Sequence, residues 1–290
     1  MTIRVILAPV VGADGDRVVL EAASVVAQRF QAHIDALHCQ VDPREAVPFL
    51  GEGASGALIQ QIMEAAQRDT QSRLSRAKEA FESWRGRTGL PLVAAPGEAS
   101  GATVSWREEV GPEDEVIARR GRLADLIVVP QPAADGNVVT TVSFEAALLD
   151  TGRPVLAAPL ADGGLARLGD GLAVIAWNGS IEAARAISAA LPFLASGRRV
   201  VILSVIEGSS GADADVVAGY LRWHGVDAEV VRLTVKAASV GAQILAEVEA
   251  RQAGLLVMGA YTRSRLRRMV FGGVTEYVLA NARLPVLMVH

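Results

Sequence analysis

One cysteine, Cys39, is all that the 290 residues contain, so no disulfide can close within the chain. A lone thiol also cannot build a cysteine-based zinc site, and this usage fits a reducing compartment. The four histidines, His33, His38, His224 and His290, show no paired ligand spacing, and they read as structural or surface residues. No run of 18 apolar residues occurs, which excludes a hydrophobic membrane helix. The opening MTIRVILAPVVG has one arginine and a strand-length apolar run broken by Pro9, too short for a signal core. Basic residues are not in excess either: the formal charge is -4 and the pI about 5.7, which speaks against a nucleic-acid partner. G-x-x-x-x-G-K-[ST] and G-x-S-x-G are both missing, which removes a P-loop and a nucleophile elbow. The expectation is a soluble, cytoplasmic protein with no membrane or nucleic-acid partner, no metal site and no visible catalytic residues.

What is present is apolar material in a regular order. Hydrophobic residues make up 51% and charged residues 21%, enough for a core and no case for disorder. Short runs rich in Val, Ile and Leu recur: RVILAPV (4–10), HIDALHC (33–39), DLIVVP (125–130), RPVLAAP (153–159) and GLAVIAW (171–177). RRVVILSVI (198–206), DAEVVRLTV (227–235), GLLVMG (254–259) and LPVLMVH (284–290) continue the series. Runs apolar at every position are buried on both faces, as in a parallel sheet covered by helices. The segments between them carry helical spacing, for example DRVVLEAASVVAQRF and SIEAARAISAALPFL. The class is α/β.

The strands fall into two matching sets. RVILAPVVGADGDRVVLEAA resembles GLAVIAWNGSIEAARAISAA, with Gly12 where Gly179 stands, and DLIVVP…RPVLAAP resembles GLLVMG…LPVLMVH. An order-preserving duplication implies two copies of one doubly wound fold, helices on both faces of each parallel sheet. The expected domains are 1–160 and 168–290, with polar, glycine-rich LADGGLARLGDG (160–171) as the linker. The first copy carries an insertion that reads as one long helix over 57–85. GEGASG (51–56) matches a dinucleotide fingerprint, but no clean strand precedes it, and it reads as a loop before that helix. The acidic pairs Glu108/Glu109 and Glu113–Asp114–Glu115 read as a helix N-terminus, where carboxylates favour the dipole.

The stretch GAYTRSRLRRMVFGGVTEYVL, 259–279, is placed to bind an anion. Gly259 ends a strand, Gly272 and Gly273 open the next helix, and Thr275 adds a hydroxyl. Unpaired N–H groups at such a helix start hold phosphate, and Arg263, Arg265, Arg267 and Arg268 crowd the loop between. With these residues the chain resembles the universal stress protein family, whose nucleotide loop has the form G-x2-G-x9-G-[ST]. Gly259 takes the first position, Thr262 the second, Gly272 the third and Gly273 the last. WNGS (177–180) is similar to the family's first loop, with Asn178 where an adenosine-contacting Asp is common. The resemblance implies a Rossmann-like fold and an adenine nucleotide, ATP or AMP, in the second copy, with Mg2+ accompanying it. On matched positions Asn178 would contact base or ribose and Val205 would flank the base. Gly259, Gly272, Gly273, Val274 and Thr275 would hold ribose and phosphates. In the first copy Pro130 stands for the first glycine, and Val10 and Val11 stand where the acid is expected. That copy is expected to serve structure or dimerisation. The family reading also carries a homodimer, an unidentified protein partner and a stress-response role. The alternatives are a nucleotide-free interaction module of the same fold and, last, a weak ATP-hydrolysing enzyme.

Overall fold

The computed structural model describes residues 2–42, 56–132, 138–161, 163–195, 197–206, 213–234, 239–260 and 273–290. Within them lie the strands β1 (Val5–Pro9), β2 (His33–Gln40), β3 (Thr103–Val110), β4 (Leu126–Pro130) and β5 (Val155–Ala158). The second half repeats the set as β6 (Ala173–Trp177), β7 (Val200–Ile206), β8 (Ala228–Thr234), β9 (Leu255–Gly259) and β10 (Val286–Val289). All but β3 are the apolar runs anticipated from the sequence.

The segment β3, TVSWREEV, corrects one expectation: Glu108 and Glu109 lie in this strand, opposite His38 and Cys39 of β2, and not at a helix start. An edge strand tolerates such charge because it need not be covered on every side. Salt bridges hold both side chains, Glu108 to Lys78 at 2.8 Å and Glu109 to Arg119 at 2.7 Å. The acidic run that follows does open a helix, as expected.

Eight helices pack on the sheet among the described residues. They are α1 (Asp16–Phe30), α2 (Gly56–Thr88), α3 (Glu113–Gly121), α4 (Val138–Asp150), α5 (Ile181–Leu194), α6 (Ala214–Trp223), α7 (Val240–Ala250) and α8 (Val274–Asn281). The long helix expected over 57–85 is α2, and most of the GEGASG loop before it lies outside the described residues. Apolar residues of α1, α2, α5 and α6 form one continuous core, and those of α3, α4, α7 and α8 form the other. The sheet is therefore covered on both faces, which is why its central strands β1, β4, β5, β6, β9 and β10 are apolar almost throughout, while the outer strands carry charge.

The strand order is β3-β2-β1-β4-β5-β10-β9-β6-β7-β8. Each half has its own first strand at the centre, so the strand order reverses between β1 and β4 and again between β6 and β9. Every pairing is parallel except β5 with β10, where Leu156 faces Leu287. The two copies thus share one ten-stranded sheet. Across the joint, Phe30 meets Phe193 edge-to-face at 5.3 Å, and buried Gln131 donates to the Leu284 carbonyl at 2.9 Å.

The segment 160–171 is no loose tether. Leu168 is buried, and the buried Arg198 guanidinium donates to the carbonyls of Gly171, Leu168 and Arg167. Arg29 adds donors to Gly169 and Phe193 from the first half. Burial pulls Arg198 down to about 10, with Arg29 repelling it and Asp170 opposing the shift, so it stays charged at neutral pH. Arg198→Ala leaves three carbonyls without these donors and is expected to cost about 2–4 kcal/mol. Urea denaturation checks this, and a loss below about 0.5 kcal/mol contradicts the clamp.

Candidate functional site

Ligands of open parallel sheets bind outside the carboxyl ends of the strands, where the strand order reverses. In the second half that point lies between β6 and β9. The register brings the expected residues to one edge: Trp177 is level with Ser204, so Asn178 follows at the level of Val205, and Ala176 is level with Met258, just before Gly259. Val205 packs partly against the core on the α7/α8 side.

After β6 the chain turns through Gly179, whose φ of +77° suits glycine. Ser180 then caps α5, its hydroxyl accepting from the Ala183 N–H at 3.1 Å. The Asn178 side-chain oxygen accepts from the Ser180 N–H at 3.1 Å, which leaves its amide NH2 for a ligand. Asn178 and Gly179 are exposed. This loop is shaped by its own side chains and open to solvent.

Gly259 is needed for a reason other than a sharp turn. Its φ is not positive; instead a Cβ there would lie 2.5 Å from the Ala183 nitrogen and 2.9 Å from the Glu182 Cβ. The first turn of α5 rests directly on the end of β9. The first half makes the same contact with the sizes exchanged: Pro130 ends β4, and Gly15 stands at the helix, where a Cβ would come 2.9 Å from the proline. Proline at the first glycine position is thus matched by a glycine across from it.

At the other end of the stretch, Gly273 is the N-cap of α8 and provides no side-chain cap. A Cβ built on it meets no described residue within 4 Å. The first intrahelical bond is Tyr277 N–H to the Gly273 carbonyl, so the N–H groups before it point out of the helix end. Val274 is exposed, whereas Thr275 is buried and turned into the protein. Gly272, Thr262 and the four arginines lie outside the described residues. Sequence reasoning missed Ser180, although a serine just before a helical run is an N-cap signal.

Cys39 is buried and its thiol pushed up to about 12, chiefly by burial and then by Glu113 and Glu109, so it is inert. An open groove of about 690 Å³ lies along β3, lined among others by Phe81, Trp106, Lys78 and Arg107. Both cations are already paired, Lys78 with Glu108 and Arg107 with Asp35. No helix among the described residues is long and apolar enough to cross a membrane.

Two halves with a reversal point each, and one glycine-framed open edge, define a tandem Rossmann-like α/β protein. Residues 173–290, the second half, match the family model described as Universal stress protein family. The fold of the whole chain agrees. A universal stress protein from Archaeoglobus fulgidus DSM 4304 superposes with a TM-score of 0.65 at 18% identity, covering 98% of this chain and 94% of that one. A putative universal stress protein from Pseudomonas aeruginosa UCBPP-PA14 does so with a TM-score of 0.50 at 17% identity, covering 99% and 93%. No curated protein matches the chain by sequence.

The two framing glycines should respond oppositely. Gly259→Ala forces the first turn of α5 away and is expected to cost about 1–3 kcal/mol. Gly273→Ser adds a capping hydroxyl where no described residue stands within 4 Å and is expected to be neutral or stabilising by about 0.5 kcal/mol. Thermal denaturation of both variants checks the contrast; equal losses contradict it.

Proposed function

We propose that the second half binds an adenine nucleotide, ATP or AMP, and works as a nucleotide-responsive regulatory module in a stress response. The observation that supports this is the N-terminus of α8 at Gly273, a helix start with no side-chain cap among the described residues. Oriented N–H groups and the helix dipole suit a phosphate there without any catalytic group. The exposed Asn178 has an amide NH2 to offer a base or ribose, and Val205 gives the base an apolar neighbour. Gly272 and Gly273 allow the phosphate to approach the backbone closely, and Thr275 stands in the same first turn with its side chain buried. Mg2+ remains an expectation tied to the phosphates.

A second reading, a protein-interaction module, is favoured by a single observation. Val216, Tyr220 and Trp223 share one face of α6 at helical spacing, and Trp223 is 90% exposed.

Isothermal titration of the full chain with ATP and with AMP is expected to give one site per chain. Gly272→Val should weaken it at least ~10-fold, about 1.4 kcal/mol. No heat with either nucleotide contradicts the proposal and leaves the interaction reading standing.

A further inference from the structure

The corresponding edge of the first half looks different. The β1–α1 loop, Val10 to Gly15, turns through Gly12 with φ of +79°, close to the +77° of Gly179. Its backbone N–H groups face inward, as in a loop built for an anion. The anion is already there and belongs to the chain. The Asp16 carboxylate, 3% exposed, accepts from the N–H of Val11 at 2.9 Å, of Gly12 at 2.7 Å and of Ala13 at 3.3 Å. In the aligned second half the position of Asp16 is Ala183, four residues past the turn glycine in both cases.

The carbonyls of the same loop are taken as well. Arg73 of α2 donates to the Val11 carbonyl at 3.0 Å, and Arg76 donates to that of Gly12 at 2.8 Å. His38 Nδ1 donates to the Val10 carbonyl at 2.7 Å. Arg73 reaches on to the buried Glu113 at 2.9 Å, and Ser143 of α4 donates to the same carboxylate. The backbone of α2 itself lies over the turn: a Cβ at Gly12 would fall 2.4 Å from the Arg73 carbonyl oxygen. Val10, Val11 and Gly12 are buried, whereas Trp177 is half-buried and Asn178 and Gly179 are exposed.

We propose that the first half holds a sealed counterpart of the second half's ligand edge, in which Asp16 supplies the bound anion from within and α2 closes over it. The assignment needs no nucleotide at the second edge, so it stands or falls apart from the function proposed above. It gives the long helix α2 a role, since α2 brings Arg73 and Arg76 to the loop and Arg73 to Glu113. It also limits what can replace the carboxylate. With α2 in place the space left by removing it admits a formate-sized anion and excludes a nucleotide.

Chemical rescue tests this. Burial pushes Asp16 up to about 6, against the pull of the three N–H groups and Arg73, so measurements belong at pH 8, where it is ionised. Asp16→Ala is expected to lower the thermal midpoint by roughly 4–8 °C. Sodium formate should restore at least about half of that loss, against sodium chloride at equal ionic strength, while leaving the wild type unmoved. ATP should restore none of it beyond any shift it gives the wild type. If the alanine variant does not fold alone, its refolding yield in formate against chloride gives the same reading. Asp16→Asn keeps the volume but not the charge, so it should lose stability without responding to formate. An alanine variant as stable as the wild type, or formate raising variant and wild type equally, overturns the proposal. Rescue by ATP in the alanine variant alone also overturns it, because the site would then be open.

Discussion

The antiparallel pairing of β5 with β10 is the constraint on which the architecture rests. Each is a four-residue strand buried at every position, and each is the last strand of its own half. Left unpaired, either would present apolar side chains and free backbone donors at a sheet edge, a template for aggregation. Pairing them hides both edges and lets the two cores run across the joint. The outer edges are the opposite: β3 carries Arg107, Glu108 and Glu109, and β8 carries Glu229 and Arg232, charges that keep those edges in water. The linker clamp at Arg198 and Arg29 and the Phe30–Phe193 contact follow from the same joint, because they need the two halves side by side.

Duplication made two equivalent edges, and local substitutions made them unequal. At the strand–helix contact the small residue is Gly259 on the strand in one half and Gly15 on the helix in the other. The geometry is kept while its chemistry changes, since proline at 130 removes a backbone donor that glycine at 259 retains. In the turn, Asp16 fills the loop from inside, whereas Ala183 leaves it without a carboxylate. The Asp16 carboxylate takes the N–H groups of Val11, Gly12 and Ala13 that an outside anion would need, and Arg73 and Arg76 close over the same turn. The half-site at Gly179 and Gly273 has no such roof among the described residues.

Much of this was legible in the sequence where hydrophobic pattern alone decides. All but the edge strand β8 of the nine apolar runs are strands in which burial leaves little room for polar alternation, and the duplication showed in the matching of Gly12 with Gly179. The strand β3 was hidden because an edge strand rich in Glu and Arg resembles a solvated helix start. The reason for Gly259 was hidden too: a missing Cβ can serve a turn or a close neighbour, and only the position of α5 separates them. Asp16 carries no local signal in the sequence. Its role depends on Arg73, 57 positions away, and no local pattern connects the two. Of the candidate site, Asn178, Val205 and Gly259 meet at one edge by register, and Gly273, Val274 and Thr275 form the start of α8. Thr275 is the one whose side chain turns inward.

The central claim is that one chain has one open nucleotide edge and one closed from within. A crystal structure of the full chain grown with ATP tests it most directly. The account predicts nucleotide beside Asn178 and Val205, phosphates at the N-terminus of α8, and the first half's loop still filled by Asp16 beneath Arg73. Nucleotide at the β1–α1 loop, or an empty second edge at saturating ATP, would contradict it.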